Sequence, residues 1–156
     1  MRMDDRELMK VWKERSAYEP GQIVTDDKID HIEKAIGFRL PHIYKQLMKL
    51  QNGGEMVIPI YPDDELPFVI QYLQELELDK GVGLSTIFVE ELHLPKDLVL
   101  ITGDMYNWLA LDYRVEFKEE PSVVFLYEGE DSNWKEILVA ETFEELITDL
   151  LLEIKS

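Results

Sequence analysis

Residues 142–154 constrain the fold of this 156-residue chain more than any other stretch. Phe143, Leu146, Ile147, Leu150, Leu151 and Ile154 recur at i, i+3, i+4, i+7, i+8 and i+11. That spacing puts one continuous apolar stripe on an α-helix. Thr142 and Glu145 precede the stripe as a capping box, in which each side chain satisfies an orphan backbone N–H of the first turn. A lone helix of this length is marginal in water, so the stripe must be buried against a second layer. The rest of the chain has to supply that layer.

The residues ahead of it change period once. Asp5 starts a helix expected to run to about Arg15, with Leu8, Val11 and Trp12 on one face. Tyr18, Glu19, Pro20 and Gly21 break it. Thr25 is a good N-cap for a second helix, in which Ile29, Ile32 and Ile36 share a face and Gly37 is the stop. Leu40 and Pro41 open a third helix carrying Ile43, Leu47 and Leu50, and Asn52, Gly53 and Gly54 end it. After Gly54 the pattern turns to strands: 56–61 with Pro59 at an irregular position, 98–102 as a central strand, then 108–112, 123–127 and 137–140. Residues 68–74 fit strand or helix, Gly81 and Gly83 mark a turn, and 85–92 fit a short helix. Short connections between strands favour antiparallel pairing. The expected class is α+β: N-terminal helices, a central antiparallel β-sheet, and the C-terminal amphipathic helix packed on that sheet, all in one domain spanning 1–156.

Charge is uneven along the chain. Residues 1–50 hold ten basic and nine acidic side chains, a sum of +1; residues 51–156 hold six and 24, a sum of −18; together they give the net −17. An acidic protein of this kind is repelled by nucleic acid and by anionic membranes, and its excess charge can steer a basic macromolecule toward it. Solubility alone is the blander explanation. No apolar run reaches the roughly 18 residues of a membrane span, and the first residues lack an apolar signal core, which points to the cytoplasm. With no cysteine there is no disulfide, thiolate nucleophile or Cys-based zinc site. His31, His42 and His93 show no zinc-binding spacing, Gly81-Val82-Gly83 is not a dinucleotide fingerprint, and neither a phosphate loop nor a nucleophile elbow occurs.

Twelve residues are weighed as candidates for contact with a partner. Asp63, Asp64 and Glu65 fill a loop between prolines, and Glu128, Glu130 and Asp131 crowd a turn. Either cluster could grip Lys and Arg side chains of a partner, or be no more than a solvated loop. A divalent cation is a poor fit, because no EF-hand spacing is present. Tyr106, Trp108, Tyr113 and Trp134 could gather around Asp104 and Asp112 as an aromatic interface or pocket. Inside its strand pattern Trp108 reads first as a sheet residue packed under a helix, and Asp104 beside Gly103 as the acid that closes its own turn.

Three stretches resemble one family. Leu40-Pro41, Tyr44 to Leu47 and Asn52-Gly53-Gly54 look like the first signature of the SUKH superfamily. Gly103 to Asp112 is similar to its Gly-Asp turn running into a strand that ends near an Asp. Pro121 to Phe125, Trp134 and Val139 to Phe143 fit the remainder, and the likeness covers about 25–151. The resemblance implies the same α+β domain and a non-enzymatic role with no cofactor. Bacterial members look like immunity proteins that bind a cognate toxin, often a nuclease; yeast relatives look like regulators. A nuclease needs a basic cleft for phosphates, which an acidic protein can occupy. The expected partner is therefore a basic nuclease toxin, met by the −18 portion. A regulatory scaffold or a small-ligand binder is the alternative, and monomer and weak homodimer both stay open.

Overall fold

The computed structural model describes residues 3–15, 17–63, 65–116 and 118–155. Helix α1 (Asp5–Met9) is capped by Asp4, whose carboxylate accepts the Glu7 N–H at 2.8 Å. It stops well short of the expected Arg15. Val11 and Trp12 are both buried, but what ends the helix is a partner outside it. Their backbone instead pairs with the next strand, Val57 N–H donating to Val11 C=O at 2.8 Å and Lys13 N–H to Glu55 C=O at 2.9 Å.

Helix α2 (Asp26–Ile36) begins on Thr25, whose hydroxyl accepts the Lys28 N–H at 3.3 Å. It ends on Gly37 at φ 84°, a left-handed conformation that favours glycine. Helix α3 (His42–Leu50) follows Pro41. Ile29, Ile32, Ile36, Ile43, Tyr44, Leu47 and Met48 are all buried, each side chain contributing on the order of 1.5–3 kcal/mol of hydrophobic stabilisation.

The strands form two antiparallel sheets rather than the one expected. Strands β1 (Gly54–Ile60) and β2 (Ile70–Leu73) pair with each other. Strands β3 (Leu98–Gly103), β4 (Asn107–Asp112), β5 (Ser122–Glu128) and β6 (Trp134–Ala140) form a meander in that order. Between β2 and β3 lies a seam, held where Gln74 donates its N–H to Ile101 C=O at 3.3 Å and its side-chain amide to Leu100 C=O at 3.1 Å. The ladder does not cross it.

β3 is thus an edge strand of its sheet, not the central strand that its apolar run suggested. The run has another cause: both faces of β3 are covered. Val99 and Ile101 join the main core, and Leu98 and Leu100 join a second cluster with Trp108, Val124 and Leu126 under helix α4 (Ser85–Glu91). The buried Ser85 hydroxyl closes the edge, accepting Leu100 N–H at 2.9 Å and donating to Val82 C=O at 2.6 Å.

Helix α5 (Phe143–Lys155) lies against the sheet as its stripe requires, with Phe143, Leu146, Ile147, Leu150 and Leu151 buried. Thr142 accepts the Glu145 N–H at 3.1 Å, and Phe143 meets Tyr44 edge-on at 5.2 Å. The main core joins residues of α1, α2, α3 and α5 to the inward face of both sheets. Among the described residues, no helix is long and apolar enough to cross a membrane.

Candidate partner-binding surface

In an antiparallel meander every second turn falls at the same end. The β3–β4 turn and the β5–β6 turn therefore sit side by side, and Glu128 N–H donates across to Tyr106 C=O at 3.1 Å. Asp104 builds the first turn. Its Oδ1 accepts the Tyr106 N–H at 2.8 Å and the Asn107 N–H at 3.0 Å, and its own N–H donates to Asn107 C=O at 2.8 Å. Gly103 must be glycine, since at φ 153° a Cβ would lie 2.2 Å from Asn107 O. The locked turn holds Met105 and Tyr106 out in solvent, Tyr106 at 65% exposure.

The second turn is equally rigid. Gly129 N–H donates to Asn133 C=O at 2.9 Å, and Asp131 Oδ1 accepts the Asn133 N–H at 3.2 Å. That backbone donor is the main reason the Asp131 carboxyl titrates below its ordinary value. Glu128 and Glu130 are exposed. Trp134 donates its indole N–H to Leu92 C=O at 2.9 Å, anchoring the start of β6 to the end of α4 and leaving the ring half-buried.

A third segment joins them. The β1–β2 loop carries Asp63, whose Oδ1 accepts the Glu65 N–H at 2.8 Å, and the exposed Glu65. Asp64 lies outside the described residues. The loop leads into Phe68, whose ring packs on Phe125 at 5.2 Å and Tyr127 at 5.3 Å. Segments 61–69, 103–107 and 128–135 hold seven acidic residues and one basic residue, Lys135. Lys135 pairs with Asp131 at 3.4 Å.

Asp112 and Tyr113 are not part of this surface. They sit at the far end of β4, roughly 17 Å from its start at about 3.4 Å per residue. Asp112 is held by Arg114, whose Nε and Nη2 donate to its two oxygens at 2.8 and 2.9 Å, while Nη2 also reaches Glu136 at 2.6 Å. Burial opposes ionisation of Asp112, but the Arg114 hydrogen bonds outweigh it and hold the carboxyl low. Tyr113 donates to Arg39 C=O at 2.5 Å and stacks on Phe38 at 4.4 Å; burial pushes its phenol pKa up. Trp108 is buried against Phe88 at 5.5 Å. The four aromatics therefore do not gather around Asp104 and Asp112. Asp104 and Asp112 close local structure, and Trp108 is core.

Sequence reasoning missed the opening where the seam widens. Beyond Gln74 the edge of β2 and the β3–β4 turn splay apart around a pocket of about 190 Å³. Phe68, Tyr72, Thr102, Asp104, Leu109 and Phe125 are among its walls. No local pattern marks it, because it exists only where two sheets meet.

With this geometry in view, the chain was compared with known proteins. The family model of the SMI1 / KNR4 family (SUKH-1) matches residues 23–149. No curated protein matches the sequence. The matched span covers most of the chain, so the protein belongs to the SUKH-1 family.

Proposed function

We propose that this SUKH-1 protein is a bacterial immunity protein. It acts in the cytoplasm as one domain and neutralises a cognate toxin by stoichiometric binding, without turnover. The expected toxin is a nuclease with a basic cleft, since clustered lysines and arginines that hold phosphates are complementary to an acidic surface. The surface that meets it is the turn end of the four-stranded sheet: Asp63, Glu65, Asp104, Tyr106, Glu128, Glu130, Asp131 and Trp134. Asp64, outside the described residues, is assigned with them from the sequence alone.

One observation carries this reading. Two acidic turns far apart in sequence adjoin each other, beside an exposed tyrosine, and Phe68 at the end of the acidic β1–β2 loop packs on β5 next to them. Fixed acids steer a basic partner, and aromatic side chains bury area at low entropic cost. Several acids elsewhere are instead engaged by lysine: Glu77 by Lys28, Glu33 by Lys45, Glu55 by Lys13 and Asp26 by Lys49.

The test is the affinity for the toxin domain encoded beside this gene. Replacing Glu128 and Glu130 by Lys, both exposed, should weaken a 1:1 complex by at least about tenfold and slow association most at low salt. Unchanged affinity, with Asp112→Asn weakening it instead, would move the interface to the opposite end of the sheet. Binding to a neighbouring regulatory protein and to no toxin would favour the scaffold role suggested by yeast relatives.

A further inference from the structure

We infer that the pocket between β2 and the β3–β4 turn is the seat of one arginine side chain from the partner. This rests on the turn end being the partner-facing surface, and it names the chemistry that surface selects. At about 190 Å³ the pocket is smaller than the roughly 300–1000 Å³ of small-molecule sites, and suits a single side chain.

Its walls match the two halves of arginine. Leu109 is buried, and Phe68 and Phe125 stand 5.2 Å apart between ring centroids, an apolar lining for the aliphatic stem. A guanidinium is weakly hydrated and stacks on aromatic faces, which an ammonium does less well. Thr102 is only 1% exposed and brings a hydroxyl to the lining. Asp104 lines the pocket from an exposed position. Its Oδ1 takes the turn amides, while among the described residues no hydrogen bond falls on Oδ2. That oxygen is the acceptor for the guanidinium. An anionic occupant is opposed by the Asp104 carboxylate in the wall. Arginine is also the charged residue most often found as a buried anchor at the centre of an interface.

Asp104→Asn separates charge from structure. An asparagine Oδ1 still accepts the two turn amides, so the turn survives while the anion is lost. The full chain, ¹⁵N-labelled, would be titrated with the peptides acetyl-Gly-Arg-Gly-amide and acetyl-Gly-citrulline-Gly-amide, watched by amide chemical shifts. The expected result is saturable shifts at Ile70, Thr102, Asn107 and Leu109 with the arginine peptide. Affinity should be about tenfold lower for the uncharged citrulline peptide and for Asp104→Asn, and close to wild type for Glu153→Gln, an exposed acid on α5. Equal affinity for both peptides, shifts elsewhere on the surface, or an Asp104→Asn variant that binds like wild type would overturn the inference. The two readings fail separately: loss of toxin affinity in the Glu128/Glu130 reversal with no arginine peptide in the pocket sinks only the pocket. Arginine binding in the pocket with no effect of the reversal sinks only the toxin-facing surface.

Discussion

Asn52 carries a prediction that the geometry makes quantitative. It is 2% exposed and joins three segments. Its side-chain amide donates to Gln22 C=O at 2.7 Å and to Leu76 C=O at 3.1 Å, and its Oδ1 accepts the Leu76 N–H at 2.7 Å. Asn52→Ala removes three hydrogen bonds worth about 1 kcal/mol each and strands buried backbone groups, the Leu76 N–H above all, at about 1–3 kcal/mol. The expected loss is on the order of 3–5 kcal/mol, which at roughly 2–4 °C per kcal/mol lowers Tm by about 10 °C. Asn52→Asp keeps the volume and the acceptor for Leu76 but turns a carboxylate oxygen toward two carbonyls. Burial and those carbonyls raise the new acid's folded pKa above its unfolded value of about 3.9. Its cost is therefore smallest below that pH and grows as pH rises through the folded pKa. Urea unfolding followed by far-ultraviolet circular dichroism, from pH 4 to 7, measures both variants. Asn52→Ala within about 1 kcal/mol of wild type, or an Asn52→Asp deficit that does not change with pH, would refute the clamp.

Three further outcomes are expected. Tyr44 is fully buried, and its hydroxyl has no hydrogen-bond partner among the described residues; Tyr44→Phe should be neutral or stabilising by up to about 1–2 kcal/mol in urea unfolding, and a clear loss would reveal a partner for that hydroxyl. Ser85→Ala leaves Leu100 N–H unpaired at a buried sheet edge, so it should cost about 1–3 kcal/mol and speed amide exchange at Leu100 specifically. Asp112 has a folded pKa below its unfolded one, so its stabilisation is complete above the unfolded value and is lost as pH falls through the folded one. The stability gap between wild type and Asp112→Asn should accordingly shrink below roughly pH 4, and a gap that stays constant to pH 3 would contradict the Arg114 pairing.

The parts of the fold readable from sequence are those whose signals are local. Thr25, Gly37 and Thr142 act within a turn of where they stand, and the α5 stripe names its own face. The end of α1 was misread because Val11 and Trp12 are settled by pairing with β1, some 45 residues away. Leu98–Gly103 was misplaced for a related reason. A continuous apolar run reports that both faces are covered, and it says nothing about the neighbours on either edge. Asn52 looked like an ordinary turn former, and its reach to Leu76 had no sequence signal.

The candidate surface was legible in part. Consecutive antiparallel strands already imply that the turns at 103–107 and 129–133 share an end, which unites Asp104, Tyr106, Glu128, Glu130, Asp131 and Trp134. The same alternation sends Asp112 and Tyr113 to the other end, so grouping them with Asp104 conflicted with the strand order itself. The approach of the β1–β2 loop depends on how the two sheets meet, as does the pocket.

The central claim is that the acidic turn end neutralises a basic toxin by forming a 1:1 complex. The most direct measurement co-expresses the chain with the toxin domain encoded beside it, scores survival, and determines stoichiometry by calorimetry on the purified pair. The account predicts rescue by wild type, a 1:1 complex whose affinity falls with salt, and loss of rescue when Glu128 and Glu130 are both replaced by Lys in a chain that still folds. Rescue undiminished by that double reversal, or a complex indifferent to salt, would contradict it.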